Sequence, residues 1–182
     1  MFAYNFEEGR LNVAEVKDSK LDYVLVPFST NGFRITSFCP VKKVSGSYDK
    51  LYLGRNVESV GENTVYLSSN FSSLREINVD PANKFLTAYK NVLYNTGNDA
   101  PYFIPSAITR LELKPVKVIE KNFIYRLENV AEIVFAEGTE RIEAYAVEKC
   151  RNLRTVYVPA SVTYMDKEAI YDCGDKVEVI RK

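Results

Sequence analysis

Apolar residues return along the C-terminal third of this chain at a fixed step. Ile119, Ile142 and Met165 lie 23 residues apart, as do Phe123, Ala146 and Ala169, then Ile124, Val147 and Ile170, and then Leu127, Cys150 and Cys173. Val130 and Leu153 keep the step. Ile133, Val156 and Val177 nearly keep it, which makes the last unit read as two residues short. Self-similarity at this period marks a stacked-repeat architecture, in which one unit cannot bury its apolar face alone and its neighbours complete the core. A fourth copy reads upstream. Val60, Thr64 and Val65 take the places of Ile142, Ala146 and Val147, and Leu74, Ile77 and Val79 those of Leu153, Val156 and Val158, after an insertion around 69–71. Farther back, LDYVLVP (21–27) reads like LRTVYVP (153–159), and LYLG (51–54) supplies another strand.

Each unit carries two patterns. Val156 and Val158 alternate with Thr155 and Tyr157, the period of a half-buried strand. Ile142, Ala146, Val147 and Cys150 fall at i, i+4, i+5 and i+8, one face of a short helix. Short helices are therefore expected over 143–150 and 167–173, on the side opposite the strands. Pro105 and Pro159 stop strands, because proline lacks the ladder donor. The expected organisation is one domain over 1–182, with irregular N-terminal units in 1–56, regular repeats in 57–79 and 116–182, and an insert in 80–115. The insert contains a hairpin, with strands at 92–94 and 102–104 and a turn over 96–99. It is too small for a core of its own.

These residues resemble the BspA-like leucine-rich-repeat family, whose units carry an isoleucine, then Ala-Phe-x-x-Cys, a leucine-led strand and a proline. The copies here are AVEKC-RN-LRTVYVP and AIYDC, preceded by FIYRL-EN-VAEIVF, with Val147, Ile170 and Ile124 in the phenylalanine position. VDPANKFLTAYKNVLYN is similar to the family's recurring hairpin insert, and the likeness runs from about Val57 to the C-terminus. The resemblance implies a repeat solenoid, a right-handed leucine-rich-repeat β/α superhelix with short strands on one face and short helices on the other. It also implies a bacterial protein, exposed at the cell surface or secreted, that adheres to host proteins or to other cells. No catalytic residue comes with it.

Composition narrows the chemistry. Lys plus Arg equals Asp plus Glu at 24 each, so no global field favours nucleic acid or an anionic membrane. The apolar fraction of 46% is that of a folded globular chain, yet no apolar run approaches the ~18 residues a membrane span requires. The first residues carry Glu7, Glu8 and Asp18 without a basic, then apolar, leader pattern. A cytoplasmic location is expected if Met1 is the native start, and a surface or secreted one by the resemblance. Histidine is absent, which removes the usual general base and the commonest metal ligand. Cys39, Cys150 and Cys173 do not form a disulfide framework. Cys150 and Cys173, at equivalent repeat positions, read as buried, reduced core thiols ahead of a disulfide or a metal pair. The acidic groups at Glu140 and Glu143, and at Asp166, Glu168, Asp172 and Asp175, read as a solvated face and not as a hydrolase pair. No phosphate-binding loop, dinucleotide fingerprint or nucleophile elbow occurs, and the Asn70-Phe71-Ser72 glycosylation pattern carries no weight. No catalytic residue, metal site or cofactor is expected.

The strand face is the candidate site. Aligned by repeat, Leu25, Tyr52, Asn78, Glu112, Val134, Tyr157 and Glu178 form one outward column. Tyr23, Lys50, Glu76, Arg110, Glu132, Thr155 and Lys176 form its neighbour. Tyrosines among mixed charges suit a protein interface, where aromatics anchor and charges select. The expected ligand set is Tyr52, Asn78, Val134, Tyr157, Glu178, Glu132 and Lys176. The expected function is non-enzymatic binding of a protein or glycan partner. The alternative is an intracellular protein-binding or inhibitor module, for example phage-encoded, on the same scaffold.

Overall fold

The computed structural model describes residues 2–7, 10–16, 21–39, 47–60, 71–98 and 100–182. Thr64, Val65, Asn70, Asp99 and the start of the 69–71 insertion lie outside them. The chain divides into two compact units, Met1–Ser106 and Ala107–Lys182.

The first unit opens with β1 (Phe2–Glu7), β2 (Arg10–Val16), β3 (Tyr23–Val26), β4 (Ser29–Thr30) and β5 (Phe33–Phe38). Then come β6 (Lys50–Leu53), β7 (Ser59–Val60), β8 (Glu76–Val79), β9 (Leu86–Tyr89), β10 (Val92–Asn95) and β11 (Pro101–Phe103). Strands β3, β6 and β8 form a parallel ladder in which Val24, Leu51 and Ile77 stand in one buried column. A second sheet runs β1-β2-β5, with β4 and β7 also paired to β5. Between these sheets Phe38, Tyr48 and Phe71 pack ring on ring, with Phe71 5.8 Å from Phe38 and 6.2 Å from Tyr48. Gly54 follows β6 because no side chain fits there: a Cβ would sit 2.7 to 2.9 Å from backbone atoms of Val26, Pro27 and Phe28 in the preceding coil.

The hairpin read at 92–94 and 102–104 is the β10–β11 pair, and it is one arm of a three-stranded meander, β11-β10-β9. The β9–β10 turn holds Lys90 (φ 48°) and Asn91 (φ 67°), two successive left-handed residues, the geometry that suits a two-residue hairpin loop.

The second unit is a β-solenoid. Its coils contribute β12 (Arg110–Glu112), β13 (Val118–Ile119) and β14 (Ile124–Tyr125), then β15 (Glu132–Val134), β16 (Arg141–Ile142) and β17 (Val147–Glu148). They continue with β18 (Thr155–Val158), β19 (Tyr164–Met165), β20 (Ile170–Tyr171) and β21 (Glu178–Arg181). These strands sort into three parallel ladders, β12-β15-β18-β21, β13-β16-β19 and β14-β17-β20. Leu111, Ile133 and Val156 line the first ladder from inside, Ile119 and Ile142 the second, and Ile124 and Val147 the third.

Two expectations are corrected here. No helix occurs among the described residues; the segments 143–150 and 167–173 are turns joined to two-residue strands. The reason is a backbone that turns left-handed twice per coil: at Asn122 (φ 59°) and Arg126 (55°), then at Tyr145 (59°) and Lys149 (59°), with Asp172 (47°) answering Lys149 one coil on. A left-handed residue every fourth position cannot belong to a right-handed helix. The i, i+4, i+5, i+8 spacing comes instead from a chain that turns inward at each corner.

The second correction is one of register. Val179, not Val177, pairs with Val156, so Glu178 lies opposite Thr155 and Ile180 opposite Tyr157. The 23-residue step therefore holds without a deletion. Val177 and Val179 have the same parity along the strand, and backbone pairing, unlike parity, distinguishes them.

Two outcomes follow from the packing. Thr139 is 1% exposed and its hydroxyl has no hydrogen-bond partner, while Val116 and Val162 hold the equivalent places in the adjacent coils. Thr139→Val should stabilise the protein by about 1 kcal/mol, because it removes a buried unsatisfied polar group. A denaturation midpoint equal to or below the parent's would contradict this. Gly54→Ala should cost about 1–3 kcal/mol by overpacking against backbone, which lowers the melting temperature by several degrees. An unchanged melting curve would show that the two coils can separate freely.

Candidate functional site

Alternation along each strand decides what faces out. In the first unit Tyr23, Lys50 and Glu76 form one outward column and Leu25, Tyr52 and Asn78 the next. Tyr23 meets Tyr52 edge to face at 5.9 Å, and Leu25 is 53% exposed beside them. Glu76 serves two neighbours: Lys50 Nζ lies 3.6 Å away, and Asn78 Nδ2 donates to Glu76 Oε1 at 2.7 Å. Exposed pairs of this kind contribute at most about 1 kcal/mol each, but they fix side-chain directions. Asn78 also borders a cleft of about 550 Å³ lined by Val79, Asp80, Asn83, Leu86 and Thr87, where the meander meets β8.

On the first ladder of the second unit, Arg110, Glu132, Thr155 and Glu178 form one column and Glu112, Val134, Tyr157 and Ile180 the other. Arg110 is the hub. Its Nε donates to Glu112 Oε1 at 2.9 Å and its Nη1 to Glu132 Oε2. The Glu112 and Glu132 carboxylates push its pKa up further. The same guanidinium lies 5.5 Å from the centre of the Tyr157 ring, and Lys182 Nζ lies 4.2 Å from it. Tyr157 is thus half-buried among two cations, not a free-standing aromatic.

The candidate residues therefore divide. Val134, Tyr157, Glu132 and Glu178 share the sheet of the second unit, with Glu178 in the Glu132 column, not the Tyr157 column. Tyr52 and Asn78 lie on the sheet of the first unit. Lys176 precedes β21 and belongs to neither column, a consequence of the two-residue register error.

A further aromatic set sits on the third ladder, where a helix was expected. Tyr125 and Tyr171 flank Glu148 in register and are 42% and 49% exposed. Lys149 bridges Glu148 at 2.8 Å and donates to Tyr125 Oη at 3.3 Å. Tyr145 stacks edge-on against Tyr171 at 5.0 Å and donates its hydroxyl to Glu168 at 2.8 Å, which raises its pKa. On the second ladder Arg141 covers Tyr164 at 4.3 Å while pairing with Glu143 at 3.0 Å. Tyrosine at 125 and 171, two repeat steps apart, was the available signal. Among the described residues no group of three or more Cys, Asp or Glu is placed to hold a metal ion, and no helix is long and apolar enough to cross a membrane.

A three-ladder coil with leucine-led strands defines a leucine-rich-repeat protein. The chain matches the family described as BspA type Leucine rich repeat region in six copies over residues 45–177, and it belongs to that family. Similar solved structures include the pneumococcal vaccine antigen PcpA, at 13% identity over 92% of this chain and 57% of that one, with a TM-score of 0.46. Another is a leucine-rich cell surface protein from Faecalibacterium prausnitzii, at 15% identity over 93% and 60% of the two chains, with a TM-score of 0.41. A third is the leucine-rich-repeat protein of T. pallidum, at 11% identity over 98% and 82%, with a TM-score of 0.41. The chain thus spans less than two thirds of PcpA and of the F. prausnitzii protein. Among curated protein sequences none matches the chain.

Proposed function

We propose that this protein is a non-enzymatic interaction module that holds a protein partner on its outward strand faces, and that it acts at a bacterial surface as an adhesive component. Membership of the BspA-type family supports the class of function. The observation that carries the reading is the arrangement around Tyr157. An aromatic ring is fixed between Arg110 and Lys182, and Glu132 and Glu178 occupy the adjacent column. Such a surface is ordered before any partner arrives, so little side-chain entropy is lost on contact. Tyrosine offers area together with a hydroxyl, and flanking charges of both signs give selectivity. Tyr52 and Asn78 form a comparable patch in the first unit, supported by Tyr23 and Glu76.

Once a partner is identified, the test is a Tyr157→Ala chain and a Tyr52→Ala/Asn78→Ala chain, each measured for affinity and for thermal stability. Tyr157 is half-buried and stacked by cations, so its truncation should cost about 1 kcal/mol of stability. Affinity should fall at least tenfold for one or both variants while the fold persists. Full affinity in both would move the binding surface to the Tyr125–Tyr171 ridge or to the meander. Antibody labelling of intact against permeabilised cells tests surface placement independently.

A further inference from the structure

Cys150 and Cys173 occupy the same point of two consecutive coils. Each lies two residues beyond the in-register pair Glu148 and Tyr171, and each follows a left-handed residue, Lys149 at φ 59° and Asp172 at φ 47°. The Lys149 N–H donates to the Tyr171 carbonyl at 3.1 Å, which locks the two corners together. The Cys173 thiol reaches the Val147 carbonyl of the preceding coil at 3.6 Å. A side chain on Gly174 would run into the Leu153 carbonyl oxygen, so the coils are closely pressed just beyond the cysteines as well. Each thiol also reaches the carbonyl two residues before it, Cys150 that of Glu148 at 3.6 Å and Cys173 that of Tyr171 at 3.3 Å, so the two corners are built alike. The two cysteines stand at equivalent places of coils whose flanking strands stack about 4.8 Å apart, within the roughly 4.4–6.8 Å Cα separation a disulfide accepts.

The two sulfurs are not equivalent. Cys150 is fully buried, whereas Cys173 is half-buried and lines an open cleft of about 390 Å³ together with Lys167, Ile170 and Asp172. The neighbouring Cys150 thiol holds the Cys173 thiol down to about 7, and the Cys173 thiol together with burial pushes Cys150 up. Cys173, the more accessible sulfur, is therefore the more readily ionised of the two, and the thiolate is the reacting form.

We propose that Cys150 and Cys173 are an oxidisable pair, in which the Cys173 sulfur attacks hydrogen peroxide and Cys150 resolves the product into a disulfide between consecutive coils. The Cys173 thiolate attacks one peroxide oxygen, the O–O bond breaks, and the departing hydroxide takes a proton to leave as water. Cys173 is then a sulfenic acid. Cys150 loses its proton, its sulfur attacks the Cys173 sulfur, the S–O bond breaks and a second water leaves. One peroxide is reduced to two waters, and the two thiols together lose two electrons. The bridge ties together coils that backbone hydrogen bonds and packing otherwise hold.

The chain has three cysteines, so the experiment uses the Cys39→Ser protein, in which only this pair remains. Folded protein is treated with a few equivalents of hydrogen peroxide, quenched, alkylated, digested and mapped by mass spectrometry. A cross-linked peptide joining Cys150 to Cys173, reversed by dithiothreitol, is the expected product, with thiol loss accelerating as pH rises to about 7 and levelling above it. A Cys39→Ser/Cys150→Ala chain should stop at a sulfenic acid on Cys173, trapped by dimedone. Sulfinic acid on Cys173 with Cys150 still free, first reaction at Cys150, or two intact thiols in folded protein under conditions that oxidise the unfolded chain would each overturn the proposal. If the Cys150→Ala variant does not fold, the cross-link map of the Cys39→Ser protein decides alone.

Discussion

Backbone stacking from coil to coil is the constraint under which every other feature of the second unit stands. Its strands are two to four residues long, too short to hold a conformation unaided, and each is kept by an in-register partner in the next coil. The bonds continue through the corners. Asn122 N–H donates to the Tyr145 carbonyl at 2.8 Å, and Tyr145 N–H to the Glu168 carbonyl at 2.9 Å. Because the corners are bonded as well as the ladders, the coil length cannot drift. A one-residue slip would turn every strand inside out and set Val156 and Ile133 in water. Length variation is admitted where no ladder of the solenoid passes, as in the 80–106 segment with its meander.

The apolar half of that constraint was open to a reader of the sequence. Inward positions must stay apolar, so Ile119, Ile142 and Met165 or Phe123, Ala146 and Ala169 announce the step directly. The backbone half was not. The left-handed corners beside the third ladder are built by Asn122, Arg126, Tyr145, Lys149 and Asp172, none of which is glycine. Their φ is set by the coils above and below, and only Asn122 and Asp172 are of residue types that favour it locally. The same spacing could be drawn on a helix, and the helical reading followed. In the first unit β1, β2 and β5 lie in stretches without repeated sequence, so periodicity had nothing to detect there.

The candidate surface shows the same split. Alternation located the outward residues of β6, β8, β15 and β18 correctly, because burial of the intervening residues fixes the parity of a strand. It could not choose between Val177 and Val179, which share parity, and so displaced Glu178 and Lys176. Nor could it find the partners that define Tyr157. Arg110 and Lys182 are far from it in sequence and reach its ring only through stacking and a C-terminal extension of β21. Tyr125 and Tyr171 share a repeat position, but the expected helix gave no reason to set Tyr145 against Tyr171.

Stacking also explains why the polar positions diverge where the apolar ones repeat. Whatever stands at one site of a coil meets its counterpart about 4.8 Å away in the next. Identical apolar residues gain from that proximity, as Ile119 and Ile142 do. Identical charges repel, and directly opposed like charges destabilise a sheet. The outward columns accordingly alternate in kind: Arg110 beside Glu132, Lys50 beside Glu76, and Glu148 between Tyr125 and Tyr171. A surface under this rule becomes a mosaic of aromatics and paired charges, distinct in every coil, and a partner can recognise it even though the scaffold beneath is uniform. Thiols are the case in which repetition is neither neutral nor repulsive. Cys150 and Cys173 place two reactive groups at equivalent points of consecutive coils, by the same geometry that brings every other repeated position together. The fold thus confers chemistry on a pair that, at unrelated sites in a globular core, would be two inert hydrophobes.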